Sequence, residues 1–109
     1  MEHRSEKISN NIKELLGAFI EENSNRKSMI TITNIYLTSD FKRVTLFVTV
    51  FPEQSENAAL DFLKRQRSDA RDYLKKHSRL ARLPFIDFEI DKGEKARQRI
   101  DELSKEIEE

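Results

Sequence analysis

The sequence predicts an α+β domain: one small sheet, built around a hairpin and covered by helices. Three observations carry that expectation. Residues 29–51 form the only long stretch rich in β-branched and aromatic side chains, and Ser39-Asp40 inside it has turn chemistry. On both sides of this stretch, apolar residues recur at helical spacing. The chain has 109 residues with two glycines and two prolines, which suits one core with short connections.

Ile8, Ile12, Leu15, Leu16, Phe19 and Ile20 form the apolar stripe of a first helix, which Ser5 can cap and Asn23-Ser24-Asn25 ends. Arg26-Lys27-Ser28 leads into the hairpin. After its turn, Val44, Leu46, Val48 and Val50 alternate with Thr45, Phe47 and Thr49, so one face is buried and the register is well specified. Before the turn the phase changes, with Ile30 and Ile32 on one parity and Ile35 and Leu37 on the other. Either Thr33-Asn34 forms a β-bulge, or Ile30 and Ile32 face away from the main core. Phe51-Pro52 closes the second strand, because proline cannot donate to a ladder.

Ser55 can cap the next helix, which spans residues 57–82 in two parts. Ala59, Leu60 and Leu63 give the first part an apolar face; Ala70, Tyr73, Leu74, His77 and Leu80 give one to the second. Gln66 to Asp69 carries no large apolar residue, and Ser68 suits a new N-cap, so a kink is expected near Ser68. Pro84 ends this unit. In a third strand over residues 85–91, Ile86, Phe88 and Ile90 face inward while Asp87, Glu89 and Asp91 face out. A last helix over residues 94–108 bears Ile100, Leu103 and Ile107.

Net charge is zero, yet the charges are segregated. Residues 63–83 hold eight Lys or Arg against Asp69 and Asp72, a balance of +6, whereas residues 87–109 hold nine Asp or Glu against five Lys or Arg, a balance of −4. A basic block inside a neutral chain points to a polyanion partner. Arg71, Lys75, Arg79 and Arg82 are spaced 4, 4 and 3, which keeps them on one face of a helix. Lys64 and Arg67 continue that face if the kink preserves phase, and Lys76 adjoins it. Such a row follows a phosphate backbone without reading sequence; the plainer reading is a solvated helix face. Arg71 is open to either a phosphate contact or a structural role beside the kink.

The order and several residues resemble the ribosome-binding factor A family of bacterial small-subunit assembly factors, over residues 4–107. The resemblance rests on the hairpin ITITNIYLTSDFKRVTLFVTV, on Ala59-Leu60, Leu63, Arg71, Leu74 and Leu80, and on Pro84, Ile86, Phe88 and Asp91 in a P-x-L-x-F-x-x-D pattern. The family's Asp-Pro-Arg step is replaced by Ser24-Asn25-Arg26, and its Ala-x-Gly kink by Gln66-Arg67-Ser68. The resemblance implies a type II KH-like domain whose kink replaces the GxxG loop. It also implies binding to small-subunit rRNA on the immature small ribosomal subunit, often linked to cold adaptation.

Other chemistry is thin. There is no cysteine, which fits a reducing cytoplasm and leaves no thiolate nucleophile or zinc-knuckle spacing. No run approaches membrane-spanning length. Asp87, Glu89 and Asp91 sit two apart on a strand, too far to share a metal easily, and read better as an edge-protecting face, with Asp91 able to cap the turn before Gly93. His77 reads as a boundary residue, and His3 lies in the terminus. Phe47 suits either a base-stacking role or, preferably, packing on Tyr36. A monomer is expected, with no enzyme activity, cofactor, metal, membrane contact or small-molecule substrate. The alternatives to an RNA-binding assembly factor are a protein-interaction module, using the acidic last helix or a sheet edge, and a small hydrolase built on the Asp87–Asp91 carboxylates.

Overall fold

The computed structural model describes residues 2–24 and 27–108, and the side chains of these except 2–4, 102 and 104–108. Asn25, Arg26 and the side chains of His3, Lys105 and Ile107 therefore lie outside the described residues. The element order is α1 (Glu2–Asn23), β1 (Met29–Leu37), β2 (Arg43–Phe51), a 3-10 turn (Glu53–Ser55), α2 (Glu56–Arg65), α3 (Arg67–His77), β3 (Phe85–Ile90) and α4 (Lys92–Glu108). The sheet order is β1-β2-β3, with β1 antiparallel and β3 parallel to β2.

The bulge expected at Thr33-Asn34 is present. Ile30 pairs with Val50 and Ile32 with Val48; past the bulge, Ile35 pairs with Leu46 and Leu37 with Val44. Directly paired residues share a face, so one extra residue brings all four apolar side chains of β1 to the core side. The Thr33 hydroxyl donates to Asp91 Oδ2 at 2.6 Å and lies 3.3 Å from the Phe47 carbonyl oxygen. The hairpin turn is held by Asp40, whose Oδ1 accepts the Thr38 hydroxyl at 2.6 Å and the Lys42 amide at 3.0 Å. Phe41 beside it has a φ of 59°, a left-handed conformation that costs a non-glycine residue roughly 1–2 kcal/mol.

Ile12, Leu16, Phe19 and Ile20 of α1, Val44, Leu46, Val48 and Val50 of β2, Leu63, Ala70 and Leu74 of the α2–α3 unit, and Ile86 and Phe88 of β3 form one buried cluster. Each large side chain buried there contributes about 1.5–3 kcal/mol. The opposite sheet face carries Tyr36, Phe51 and Phe85 at 61%, 75% and 65% exposure, so the helices cover one face only. Phe47 pairs with Asn34 rather than Tyr36, and no ring contact joins Phe47 to Tyr36 among the described residues.

Several local expectations are corrected. The helix break falls at Gln66, the first residue of the Gln66-Arg67-Ser68 triplet, not at Ser68. Gln66 adopts φ −92° and ψ 5°, and its N–H is shared between the Phe62 and Leu63 carbonyls at 3.1 and 3.0 Å. That bridge-region conformation is open to any L-residue, so the joint needs no glycine. Ser68 lies one residue inside α3 and does not cap it. Ser5 likewise lies inside α1, which begins at Glu2. Ser55 does occupy the N-cap position of α2 but makes no side-chain cap bond.

The second correction concerns length: α3 ends at His77, not near Arg82. Ser78 is extended, and both its hydroxyl (2.6 Å) and its N–H (2.9 Å) donate to the Leu74 carbonyl. A serine that satisfies a last-turn carbonyl from its side chain competes with the next turn of helix. Thirdly, His77 is exposed and stacks on Tyr73 at 4.1 Å between ring centroids, with Tyr73 in turn 5.4 Å from Phe19. Lastly, α4 starts at Lys92, capped by Asp91, whose Oδ1 accepts the Glu94 amide at 2.9 Å. Its base is tied down by Lys95, which meets Glu56 at 2.8 Å and Glu53 at 3.1 Å; Ile100 and Leu103 beyond remain exposed.

Candidate nucleic-acid interface

The basic residues gather at one end of the sheet, but not as a single helical stripe. Lys64 lies in the last turn of α2, Arg67 and Arg71 lie on the first two turns of α3, and Lys75 and Lys76 lie on its last turn. Arg79 and Arg82 lie in the loop over residues 78–84, so the 4, 4 and 3 spacing does not place them on one helix face. The loop nonetheless folds back. Arg82, Ala81 and Leu83 face Arg71, Asp72 and Lys75 across a cleft of about 440 Å³. Arg82 thus rejoins Arg71 and Lys75 through tertiary structure, while Lys76 and Arg79 remain exposed beside them.

Lys64 and Arg67 have a partner that spacing did not reveal. Asp87 on β3 accepts Lys64 Nζ at 3.0 Å and Arg67 Nη1 at 3.4 Å on the same Oδ1. Burial raises the Asp87 pKa, but the Lys64 ammonium, the Phe88 amide and the Arg67 guanidinium outweigh it and hold the carboxyl below its usual value. Arg67 also donates from Nε to the Lys64 carbonyl at 2.9 Å, satisfying an open end of α2. Asp87 is therefore not merely a solvated edge residue. By contrast, none of Lys75, Lys76, Arg79 and Arg82 makes an ion pair among the described residues.

Arg71 has a structural part. Its Nη2 donates to the Leu83 carbonyl at 3.2 Å, and its guanidinium lies 5.0 Å from the centroid of the Phe85 ring. Arg71 therefore fastens the loop over residues 78–84 to α3 and the start of β3. A second cleft, about 520 Å³, is lined by Arg43, Thr45, Arg67, Ser68, Arg71, Phe85 and Asp87, among others. Arg43 is a cation that the sequence reading passed over: it stands at the start of β2, far in sequence from the basic block, and joins it only because β2 and β3 pair Arg43 with Phe85.

The larger groove of about 1120 Å³ between α1 and β1 carries Lys13 and Lys27 against Glu14 and Glu21. That balance gives it no preference for a polyanion. Among the described residues no cluster of His, Cys, Asp or Glu is arranged to hold a metal, and no helix is long and apolar enough to cross a membrane. Asp91 is occupied by Thr33 and the α4 cap, and the Thr33 hydroxyl, then the Glu94 amide, hold its carboxyl below the usual value. The three outward carboxylates therefore do not converge on one point.

A family model described as ribosome-binding factor A matches residues 4–104. Ribosome-binding factor A of Geobacter sulfurreducens is 31% identical over 118 residues, covering 99% of this chain and 94% of its own length. That of Chlorobium luteolum is 26% identical over 111 residues, covering 98% and 93%. Among solved structures, the crystal structure of ribosome-binding factor A from Thermus thermophilus aligns with a TM-score of 0.68 at 24% identity, covering 75% of this chain and 90% of that one. A homology model of the Thermus thermophilus factor, fitted into a cryo-EM map of its complex with the 30S subunit, aligns at 0.64 with 25% identity, covering 72% and 86%. The shared fold is the KH-like one, with α2 and α3 meeting at Gln66. With a family match that runs almost from end to end, and a fold to go with it, the chain belongs to the ribosome-binding factor A family.

Proposed function

We propose that this protein binds small-subunit rRNA on the immature small ribosomal subunit and assists its maturation, as a cytoplasmic assembly factor with no catalytic step of its own. One observation carries the reading: Lys75, Lys76, Arg79 and Arg82 form an exposed cationic rim with no carboxylate partner among the described residues. Surface cations left unpaired beside one another repel, and a phosphate backbone relieves that repulsion while releasing its own counterions. Lys64, Arg67 and Arg71 extend the rim toward the sheet, partly neutralised by Asp87. Family membership and the relative fitted into a 30S complex support a ribosomal partner.

The test is co-sedimentation with small subunits on sucrose gradients. Reversing Lys75, Arg79 and Arg82 to Glu is expected to release the protein from subunits while its thermal melting stays cooperative, because all three side chains are exposed. The control reverses Lys7, Lys13 and Lys92, which lie on α1 and at the start of α4. Lys95 and Arg97 are unsuitable controls, since each holds an ion pair within the fold. Loss of subunit binding in the control but not in the rim variant places the site elsewhere on the molecule.

A further inference from the structure

Phe85 is an unusual residue for its position. It opens β3 directly after the buried Pro84, yet its side chain points to the uncovered sheet face and is 65% exposed. A phenylalanine held that far in water gains little from burial. One part of its ring lies under the Arg71 guanidinium, at 5.0 Å from the centroid. The backbone beneath the ring is held in the sheet, since the Phe85 amide donates to the Lys42 carbonyl at 2.8 Å, and Arg71 is itself tied to the Leu83 carbonyl. The result is an exposed aromatic surface at the wall of the 520 Å³ cleft, with Arg43, Arg67 and Arg71 around it and Asp87 as the one carboxylate in the lining.

From this we infer that Phe85 is a stacking platform for an unpaired base, and that the cleft selects single-stranded over duplex RNA. The inference rests on the RNA-binding reading above and names the form of RNA that this part of the site takes. Three arginines against one carboxylate leave the cleft cationic, which suits the phosphates flanking a base. An aromatic face supplies the sequence-tolerant stacking that single strands use and that a closed duplex hides inside its own stack. Arg71 against the ring polarises it and keeps its orientation. Neither a lone surface aromatic nor a lone basic cleft would make this distinction; the two occur here within one wall.

The experiment compares a short oligo(A) with a short RNA duplex, titrated into the wild type, Phe85→Ala and Phe85→Leu across a salt series. Phe85→Leu keeps apolar bulk under Arg71 but has no aromatic face, so it guards against a purely structural loss. Both variants are expected to weaken single-strand binding by roughly fivefold to a hundredfold, to leave duplex binding unchanged, and to keep the wild-type salt slope, since no charge is removed. The chain contains no tryptophan, so Phe85→Trp places a unique fluorophore on the platform. Its emission should be quenched by oligo(A) and not by heparin, a polyanion without bases. Equal losses on single strand and duplex, a Leu variant that binds like the wild type, or equal quenching by heparin would each overturn the platform. A wild type with no salt-dependent affinity for either RNA would instead overturn the function proposed above, and the platform with it.

Discussion

Asp87→Asn separates the two things that Asp87 does. Its carboxylate neutralises part of the basic rim, and it holds Lys64 and Arg67 against β3. The cost to the fold should be small. The side chains of Lys64, Arg67 and Asp87 are 37%, 49% and 42% exposed, and ion pairs this wet are worth about 0–1 kcal/mol each. Asparagine keeps an oxygen able to accept the Phe88 amide, which lies 2.9 Å from Oδ1. A net loss of about 1 kcal/mol, the middle of the range for two such pairs, or a melting temperature lower by roughly 4–8 °C, is expected. The gain to RNA binding should be larger. Removing one negative charge and freeing two cations lets up to two further phosphates be met, so the slope of log affinity against log salt should steepen by about 1–2. Affinity for oligo(A) at low salt should rise accordingly. The assay is fluorescence anisotropy at several salt concentrations, beside a thermal melt. An unchanged slope, or weaker binding by a variant that melts normally, would refute the idea that Asp87 restrains the rim and would make it an organiser of the site instead.

Other outcomes follow from the same geometry. Val48 is fully buried at the centre of β2, so Val48→Asp should cost several kcal/mol out of a total of roughly 5–15 and abolish cooperative melting near the wild-type temperature. Ser68→Ala should change stability by less than about 0.5 kcal/mol, because Ser68 is exposed and caps nothing; a larger loss in a denaturant titration would restore a role for it at the joint. Asp91 has a lowered pKa in the folded state, chiefly from the Thr33 hydroxyl and then from the Glu94 amide. Its contribution is therefore fully present above the ordinary value of 3.8 and is lost as pH falls below it. Asp91→Asn should flatten the acid limb of a stability-against-pH curve below about pH 4 and leave the neutral plateau's shape unaltered.

Much of the architecture was legible because it is periodic. The alternation from Val44 to Val50 names its own buried face, and the phase change in β1 narrowed the choice to a bulge or an outward-facing pair. The joint was legible as a gap between the apolar faces of α2 and α3, but its residue was not. Choosing Ser68 relied on capping preference, whereas the chain breaks at Gln66 by backbone conformation alone, with no side-chain cap bond. The candidate interface was half visible. The basic block showed in composition, yet helical spacing extended it through Arg79 and Arg82, past a terminus that Ser78 sets by bonding to the Leu74 carbonyl. Asp87 and Arg43 reach the site only through the pairing of β2 with β3, which nothing local announces.

The bulge in β1 has a consequence for how this chain can vary. Thr33 is the single residue by which the two halves of β1 are out of step, and its hydroxyl is bonded to Asp91, 58 positions away. Deleting Thr33 would therefore remove the bulge and leave Ile30, Ile32, Ile35 and Leu37 in unbroken alternation on the core face, at the cost of the bond to Asp91. The core face of the strand thus does not depend on its extra residue; what Thr33 adds is a tie from the hairpin to the cap of α4, so loss of its codon would loosen the last helix while the sheet keeps its frame.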